Sequence, residues 1–599
     1  MSFALSESCY KQLTSASNLR MPLLNHLIHR RSLSTLILCQ PPLPSKSLRR
    51  PGAPAPLFSK AETRSVVTMA TMSQGVEQAM KKANDGLYGL RHTVWDQQDV
   101  RPEYPKITKD ETADVVIVGA GIFGLSIAYN LVKEGKKVVV LEAKAIGSGM
   151  TGRTTAHLMA WNDDFYYMVA QRHGEDVAKL VGDSHRAAID FVERTVREEN
   201  IDCKFSRVDG YLFPHEESEE VMGMLNKEFE ASKMAGFDVK MVDLKKDPAC
   251  GKIANAILFP NNADFHPLMY IQGLAKAVTN RGGKIYEQCR VSKNEGHKVT
   301  TEDGVTVTAD TVVLATHSPL NHNLAIHARQ EAQRSYVLGF KLKKGSVKKA
   351  QWWDTNSPYH YIRIEEKDDF DVLVVGGNDH PTGIKGKDYL DPHSSLEKWA
   401  RDRWTEAGEV LYKWTGQVYK PIDTLHLLGP DPKPSLGENV YVATGDSGQG
   451  MTGGTIAGIL LKDLILKREN PWTRMYSPSR LPSPDLSTAQ AGTGIVEQTV
   501  KGYASNAPLI GTDAINIADL MPTTGAIKQE SLNKVAVYKD ENGQLYKYSA
   551  VCPHLKCTVQ WNPVDKSWDC PCHGSIFDAY GRCVNGPAKA HLSPLLPEN

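Results

Sequence analysis

The apolar residues of this 599-residue chain recur in short runs that are separated by glycine, proline and charged positions. Residues 114–118 (Asp-Val-Val-Ile-Val) form such a run, which is typical of a buried strand in a parallel sheet. A glycine-rich turn follows, then helical spacing up to about Lys133, and a second apolar run at 137–141 that ends at Glu142. This order of strand, turn, helix and strand predicts a βαβ unit.

Three glycines make the turn chemically specific. Gly119, Gly121 and Gly124 have the spacing Gly-x-Gly-x-x-Gly. Gly119 permits the tight turn, Gly121 lets the backbone approach a pyrophosphate, and Gly124 allows the helix to pack closely on the strand. Glu142 stands where a carboxylate would accept hydrogen bonds from ribose hydroxyls. The pattern predicts a dinucleotide site but does not decide between FAD and NAD.

Two later stretches favour FAD. The loop 147–156 is rich in glycine and hydroxyl residues and suits a long dinucleotide. Its candidate cofactor-binding residues are Gly152, Arg153 and Thr154. A strand predicted at 439–444 leads into a second glycine turn and a helix, which would direct backbone N–H groups at a flavin ring. The candidate residues of this second turn are Gly445, Gly448, Gly450, Met451 and Thr452. On its own, this turn could equally be an ordinary glycine turn.

Together these segments resemble the D-amino-acid oxidase/glycine oxidase family of FAD enzymes over about residues 112–470. The resemblance implies an α/β flavin-binding domain with a Rossmann-like βαβ unit. It also implies an α+β substrate domain interleaved with the first, at about 206–262 and 328–432. The predicted strand 311–316 resembles the family's return strand, but His317 follows it where a glycine is usual.

The substrate contacts have the weakest signal. Members of this family take hydride from a carbon next to an amine nitrogen, and a cationic side chain often holds the substrate carboxylate. Residues 359–363 (Tyr-His-Tyr-Ile-Arg) alternate so that Tyr361 and Arg363 share one face of a predicted strand. These two are the candidate catalytic residues, for binding a substrate carboxylate. The alternative is a solvated strand face.

Two short loops near the C-terminal end each pair a cysteine with a histidine. One carries Cys552 and His554, and the other carries Cys570 and His573. A Rieske [2Fe–2S] cluster needs this division, because two thiolates hold one iron and two imidazoles hold the other. Zinc is the rival metal for any group of cysteines and histidines. These four residues are the candidate metal ligands.

The loops and residues 586–588 (Gly-Pro-Ala) resemble the Rieske family over about residues 500–599. The resemblance implies a small all-β domain. In Rieske proteins of respiratory and photosynthetic cytochrome complexes, the positions of Cys557 and Cys572 form a disulfide that ties the two loops together.

Ser575 matches the serine that donates a hydrogen bond to a cluster sulfide in that subgroup, whereas Phe577 stands where a tyrosine is expected. Loss of a hydroxyl donor stabilises the reduced cluster less. We therefore expect a potential below the top of the family range, which runs from about −150 to +300 mV.

Composition adds limits to this picture. The net charge is +1 and the body has no dense Lys/Arg tract, which argues against nucleic-acid binding. Glycines interrupt the longest weakly polar run, 115–132, so no membrane span is expected. Five of the ten cysteines lie between 552 and 583, which favours a metal or redox site over a secreted disulfide framework.

Two segments lie outside the predicted domains. Residues 1–75 are rich in Arg and Ser and poor in acids, a composition typical of an organelle transit peptide. The expected location is mitochondrial, with the chloroplast, or a cytoplasmic protein with an extension that carries no address, as alternatives. Residues 471–499 are rich in Pro, Ser, Thr and Gly and predict a linker.

A flavin accepts two electrons as a hydride, whereas a Rieske cluster passes one at a time. The fusion therefore predicts an FAD-dependent dehydrogenase or oxidase that oxidises the C–N bond of an amine or amino acid. Electrons would leave singly through the cluster to an acceptor protein or quinone. One alternative is an NAD(P)H-driven reductase that feeds a partner oxygenase, although a second nicotinamide motif is missing from the sequence. Another is a non-catalytic redox sensor or electron carrier.

Overall fold

The computed structural model describes residues 93–95, 102–320, 324–384, 391–432, 439–481, 492, 517–530 and 533–595. The transit peptide predicted for 1–75 lies outside the described residues, as does most of the predicted linker 471–499.

The helices and strands are numbered along the chain. The helices are α1 (Ile122–Lys133), α2 (Tyr166–His173), α3 (Glu175–Glu198), α4 (Glu219–Met234), α5 (Pro267–Asn280), α6 (Leu324–His327), α7 (Pro392–Arg403), α8 (Gly450–Ile465) and α9 (Thr473–Tyr476). The strands before the predicted linker are β1 (Glu111–Val118), β2 (Val138–Leu141), β3 (His157–Leu158), β4 (Ser206–Phe213), β5 (Lys240–Asp243), β6 (Asn255–Asp264), β7 (Lys284–Tyr286), β8 (Val291–Asn294), β9 (Lys298–Thr301), β10 (Thr306–Leu314), β11 (Gln330–Leu342), β12 (Gln351–Asp354), β13 (Tyr361–Glu366), β14 (Asp371–Pro381), β15 (Val410–Pro421), β16 (Leu427–Pro430) and β17 (Val440–Thr444). The strands after it are β18 (Thr524–Glu530), β19 (Asn533–Lys539), β20 (Leu545–Ser549), β21 (Gln560–Asn562), β22 (Ser567–Asp569), β23 (Ile576–Asp578) and β24 (Cys583–Asn585).

The first sheet has the order β16-β17-β10-β1-β2-β7, with β9 on β10 and β8 on β9. Strand β1 pairs in parallel with both β2 and β10. All four residues of β2 are buried, and ten of the twelve residues of α1 are buried between the sheet and α8 or α5. The predicted βαβ unit and the α/β class of this domain are confirmed.

The second sheet has the order β15-β11-β14-β13-β12-β4-β6-β3, with β5 on β6. It forms the substrate domain that interleaves with the first. Its two main segments are 206–264 and 330–421, close to those predicted. The later segment ends earlier than 432, because β16 returns to the first sheet and pairs antiparallel with β17.

The C-terminal domain consists of a three-stranded sheet, β18-β19-β20, and a four-stranded sheet, β21-β22-β23-β24. Every pairing in both sheets is antiparallel. Their shared core includes both loop cysteine pairs along with Trp561 and Trp568. The small all-β domain expected from the sequence is confirmed.

The start of the predicted linker is ordered against the flavin domain. Residues 473–476 form α9, in which Tyr476 is buried, and its hydroxyl lies 2.8 Å from the hydroxyl of Ser184 on α3. The described part of the flavin domain therefore continues beyond residue 470. Among the described residues, each helix is too short or too polar to cross a bilayer.

Candidate functional site

The turn after β1 is built from three closely packed glycines, of which Gly119 and Gly124 leave no room for a larger residue. Gly119 has φ +103°, and a Cβ there would lie 2.4 Å from the carbonyl oxygen of Ala315. A Cβ at Gly124 would lie 1.9 Å from the carbonyl oxygen of Gly119. A Cβ at Gly121 would lie 3.1 Å from Oγ1 of Thr151. Close approach of the backbone, together with the N-terminus of α1, fits a bound pyrophosphate.

Glu142 is held at the end of β2. Its Oε2 accepts from Ala120 N at 2.8 Å and its Oε1 accepts from Lys144 N at 2.9 Å. Burial raises the pKa of Glu142. Each carboxylate oxygen keeps one further lone pair, so the group can still accept from ribose hydroxyls.

A single large cavity joins these elements to the substrate sheet. Of the residues predicted from the sequence, it is lined by Gly119, Gly121, Glu142, Arg153, Thr154, Gly448, Gly450, Met451 and Tyr361. The structure places five others away from the cavity surface, namely Gly124, Gly152, Gly445, Thr452 and Arg363. Packing explains the glycines among them: a Cβ at Gly152, for example, would lie 2.5 Å from the carbonyl oxygen of Gly147. Thr452 instead bonds through its hydroxyl to the backbone of Met159.

The second glycine turn brings the N-terminus of α8 to the cavity. Gly448 has φ +80°, and Gly450 is the first residue of the helix. The first N–H groups of a helix have no partner within it and form the positive end of its dipole. This end of α8 therefore suits an electron-rich part of a flavin.

His317 occupies a left-handed conformation, with φ 65°, which explains why glycine is usual at this position. Its side chain lines the cavity, and Nε2 lies 3.1 Å from Oδ1 of Asp446. The same carboxylate oxygen accepts from Tyr419 N at 2.9 Å. The His317 ring meets the Tyr419 ring edge-on, with centroids 4.7 Å apart. Sequence reasoning missed Asp446 and Tyr419, because no local motif marks either residue.

The substrate domain contributes an aromatic and acidic end to the cavity. This end is lined by Ser335, Trp353, Tyr359, Tyr361 and Asp379. The hydroxyls of Ser335 and Tyr361 lie 2.6 Å apart. The Tyr359 and Tyr361 rings have centroids 5.6 Å apart. Burial raises the pKa of Asp379, and among the described residues its buried Oδ1 has no hydrogen-bond partner.

Arg363 does not reach this end of the cavity. It is 2% exposed, and its guanidinium donates to Glu365 Oε2 at 2.9 Å and to the carbonyl oxygen of Ala156 at 3.0 Å. Asp264 adds a second carboxylate at 3.7 Å. Alternate residues of a strand share a face but lie almost 7 Å apart along it, so Tyr361 lines the cavity and Arg363 lies beyond it. The carboxylate-binding role predicted for Arg363 is wrong.

The four predicted cluster ligands come together in one buried place. Cys552, His554, Cys570 and His573 are at most 8% exposed. The thiols of Cys552 and Cys570 lie within hydrogen-bonding reach of each other, and the two histidine rings have centroids 5.1 Å apart. Among the described residues, the buried Nδ1 of His573 has no hydrogen-bond partner. This donor set fits a [2Fe–2S] cluster.

Cys557 and Cys572 form the disulfide that the family resemblance implied. The sulfurs of Cys557, Cys570 and Cys572 lie within 4.8 Å of one another. Because the disulfide occupies two of these sulfurs, Cys570 pairs with Cys552 as the thiolate ligands. Burial, with a contribution from His327, lowers the pKa of His573 to about 3. The imidazole is therefore in its neutral, ligating form.

The cluster loops dock on the flavin half of the chain. Tyr419 Oη donates to the carbonyl oxygen of His573 at 3.0 Å, and Gln417 Nε2 donates to that of Gly574 at 2.9 Å. The ring of His327, on α6, contacts both ligand histidines, with centroid distances of 5.0 Å to His554 and 5.4 Å to His573. The histidine edge of the cluster site thus faces the flavin half. Sequence reasoning missed His327 because nothing in its local sequence marks it.

A protein-family model of FAD-dependent oxidoreductases matches residues 114–464, which is more than half of the chain. This chain belongs to that family. A Rieske [2Fe–2S] domain model matches residues 515–595 of this oxidoreductase. The protein is therefore an FAD-dependent oxidoreductase with a Rieske centre, and its cofactors are FAD and a [2Fe–2S] cluster.

Three known proteins show how far the similarity of this oxidoreductase extends. It is 30% identical over 502 residues to the Rieske 2Fe-2S iron-sulfur protein YhfW of Bacillus subtilis, covering 83% of this chain and 96% of the relative. It is 24% identical over 379 residues to gamma-glutamylputrescine oxidoreductase of Escherichia coli, covering 60% of this chain and 85% of that protein. The crystal structure of glycine oxidase from Geobacillus kaustophilus has a TM-score of 0.52 at 20% identity, and the match covers 62% of this chain and 99% of that one. That last likeness shows the fold.

Proposed function

We propose that this oxidoreductase oxidises the C–N bond of a cationic amine and delivers the electrons one at a time, through its Rieske cluster, to an external acceptor. When bound, FAD supplies the hydride acceptor and the cluster supplies the one-electron carrier. The amine loses a hydride from carbon and a proton from nitrogen, which leaves an imine. Water then converts the imine to a carbonyl compound and ammonia or a smaller amine. Two equivalents of a one-electron acceptor, a protein or a quinone, take up the two electrons.

The acidic end of the cavity supports an amine substrate. Strands β11 to β14 contribute Ser335, Val337, Trp353, Tyr361 and Asp379 to the described lining, with no lysine or arginine among them. Asp379 can pair with an ammonium group, and tyrosine faces attract cations. A substrate carboxylate would lack a cationic partner on these strands. The name of the Escherichia coli relative also describes an amine as substrate.

Lys420 is a half-buried cation close to this end. It lies outside the lining residues, with its Nζ 5.6 Å from the ring centroid of Tyr359. Asp379, Asp164 and Asp163 raise the pKa of Lys420 against the effect of its burial. Its charge therefore interacts with these acids.

The single observation that carries the electron route is the contact between the cavity wall and a cluster ligand. His317 lines the cavity, its ring meets Tyr419, and Tyr419 Oη donates to the carbonyl oxygen of His573. Three consecutive contacts thus join the cofactor cavity to the loop that holds the cluster. A reduced flavin in this cavity would have the cluster as its nearest electron acceptor in the chain.

The test is anaerobic mixing of the full chain, loaded with FAD and cluster, with a panel of alkyl amines, diamines, N-methyl amines and amino acids. Flavin bleaching is followed optically, and cluster reduction by electron paramagnetic resonance. We expect amines without a carboxylate to bleach the flavin first, with the cluster signal growing afterwards. Bleaching by amino acids alone would contradict the amine assignment. Bleaching by NADH or NADPH alone would identify a reductase, and flavin binding without turnover of any donor would identify a sensor.

We also propose that residues 1–75 direct the protein to mitochondria. The support is their Arg-rich, Ser-rich and acid-poor composition. A fluorescent protein fused after residue 75 would accumulate in mitochondria. Accumulation in plastids or in the cytosol would contradict the proposal.

A further inference from the structure

One wall of the FAD cavity comes from the Rieske domain. Residues 583–589, here called the 583–589 segment, follow the second cluster loop and begin with β24. Five of its residues line the cavity, namely Val584, Asn585, Gly586, Ala588 and Lys589. The cavity-lining residues of the flavin half end at Met451, more than a hundred residues before this wall.

Contacts on both sides fix the 583–589 segment in place. On the flavin side, Lys144 Nζ donates to the carbonyl oxygen of Val584 at 3.2 Å, and Arg290 donates to that of Cys583 at 3.0 Å. On the cluster side, Ala588 N donates to Oγ of Ser575 at 3.0 Å. The segment is therefore a shared wall between the two cofactor sites rather than a loose loop.

Lys144 and Arg290 also show which part of the cavity the 583–589 segment adjoins. Lys144 follows Glu142 by two residues, and its N–H donates to the Glu142 carboxylate. Both Lys144 and Arg290 line the cavity. The start of the 583–589 segment therefore lies next to the part of the cavity that fits the adenosine and diphosphate of FAD.

Two polar side chains of the wall lack partners in the described part of the chain. The buried Nδ2 of Asn585 has no hydrogen-bond acceptor among the described residues. Lys589 is partly buried, and burial lowers its pKa with no opposing carboxylate. A cation and an amide donor that face a dinucleotide cavity without protein acceptors are suited to phosphate or ribose oxygens.

We propose that the Rieske domain completes the FAD site, with the Lys589 ammonium binding the diphosphate of FAD and the Asn585 amide donating to the same dinucleotide. FAD affinity then depends on the Rieske domain, which lies outside the residues matched by the FAD-dependent oxidoreductase model. The proposal goes beyond the proposed function, since it concerns cofactor binding and holds for any substrate and for either direction of electron flow.

The experiment measures FAD affinity in the full chain with its cluster assembled. FAD is removed, and the dissociation constant is then measured by quenching of added FAD fluorescence. Lys589→Gln is expected to raise this constant by roughly tenfold to a hundredfold, the range for loss of one hydrogen bond to a charged group. Lys589→Arg should stay close to the wild type, because a guanidinium also binds phosphate. Lys566→Gln removes an exposed lysine of the same domain and is the control for net charge.

A second variant and a second readout keep the result unambiguous. Asn585→Ala leaves the charge unchanged and should weaken FAD binding by about threefold to tenfold, the value for a neutral hydrogen bond. The electron paramagnetic resonance signal of the cluster should be the same in all variants, which shows that the Rieske domain is still folded. The proposal would be overturned if the FAD dissociation constants of Lys589→Gln and Asn585→Ala were both within twofold of the wild-type value. A Lys589→Gln constant no higher than that of Lys566→Gln would also overturn the role of Lys589.

Discussion

Replacing Arg334 with methionine should slow electron transfer from the flavin to the cluster. Arg334 lies on β11, is 1% exposed, and extends from the flavin half into the Rieske domain. Its guanidinium donates to both oxygens of Asp569, at 2.9 and 3.0 Å, and lies 3.1 Å from Oδ2 of Asp565. Both acids are also buried. Methionine keeps much of the volume and removes the charge.

The magnitude follows from burial. Removing one partner of a buried ion pair costs about 3–5 kcal/mol, because a buried charge is left uncompensated. Here two carboxylates lose their cation. Arg207 gives the matched control: it also contacts two acids, Glu193 and Asp190, each at 2.6 Å, but its side chain is 28% exposed. Exposed pairs contribute about 0–1 kcal/mol, so Arg207→Met should have little effect.

The assay compares two rates in the loaded protein. Substrate should bleach the flavin of Arg334→Met at nearly the wild-type rate, because Arg334 is not among the cavity-lining residues. Cluster reduction, followed by freeze-quench electron paramagnetic resonance, should slow by at least tenfold, since the docked geometry is destabilised. Adding Asp565→Asn should restore part of the loss by removing one uncompensated charge. A wild-type rate of cluster reduction and an unchanged melting temperature in Arg334→Met would refute this account of the interface.

Three further predictions concern the cavity, the cluster and pH. Asp379→Asn should raise the dissociation constant of a cationic amine by roughly tenfold to a hundredfold, measured by flavin bleaching, while FAD affinity is unchanged. Phe577→Tyr should raise the midpoint potential of the cluster in a potentiometric titration, because it restores a hydroxyl near the site, and an unchanged or lower potential would contradict this. Burial raises the pKa of Asp163 from 3.8 to about 8, so the folded protein holds a proton that the unfolded chain releases between these values. The free energy of unfolding should therefore fall with rising pH across that window, by up to about 1.4 kcal/mol per unit. In Asp163→Asn, melting curves recorded across this pH range should show a smaller loss of stability with rising pH. A pH dependence equal to that of the wild type would contradict the prediction.

The local sequence determined those features whose physical cause is itself local. The turn at Gly119 needs a positive φ and the close approach of a neighbouring backbone, which only glycine allows. The cluster ligands lie within 22 residues of each other, from Cys552 to His573, so their spacing alone shows how thiolates and imidazoles divide. The βαβ unit of the flavin domain was likewise predictable from short-range patterns, whereas the all-β fold of the Rieske domain was implied by the family resemblance.

Tertiary structure decided everything that depends on distant segments meeting. Alternation along one strand placed Arg363 on the same face as Tyr361, but it did not show that Glu365 and Asp264 neutralise the arginine outside the cavity. Asp379 reaches the cavity because β14 lies between β11 and β13, an order that the sequence does not reveal. The 583–589 segment lies beside Lys144 for the same reason. Such contacts arise from the docking of whole sheets and domains, whose energies are spread over many residues and therefore leave no local signature in the sequence.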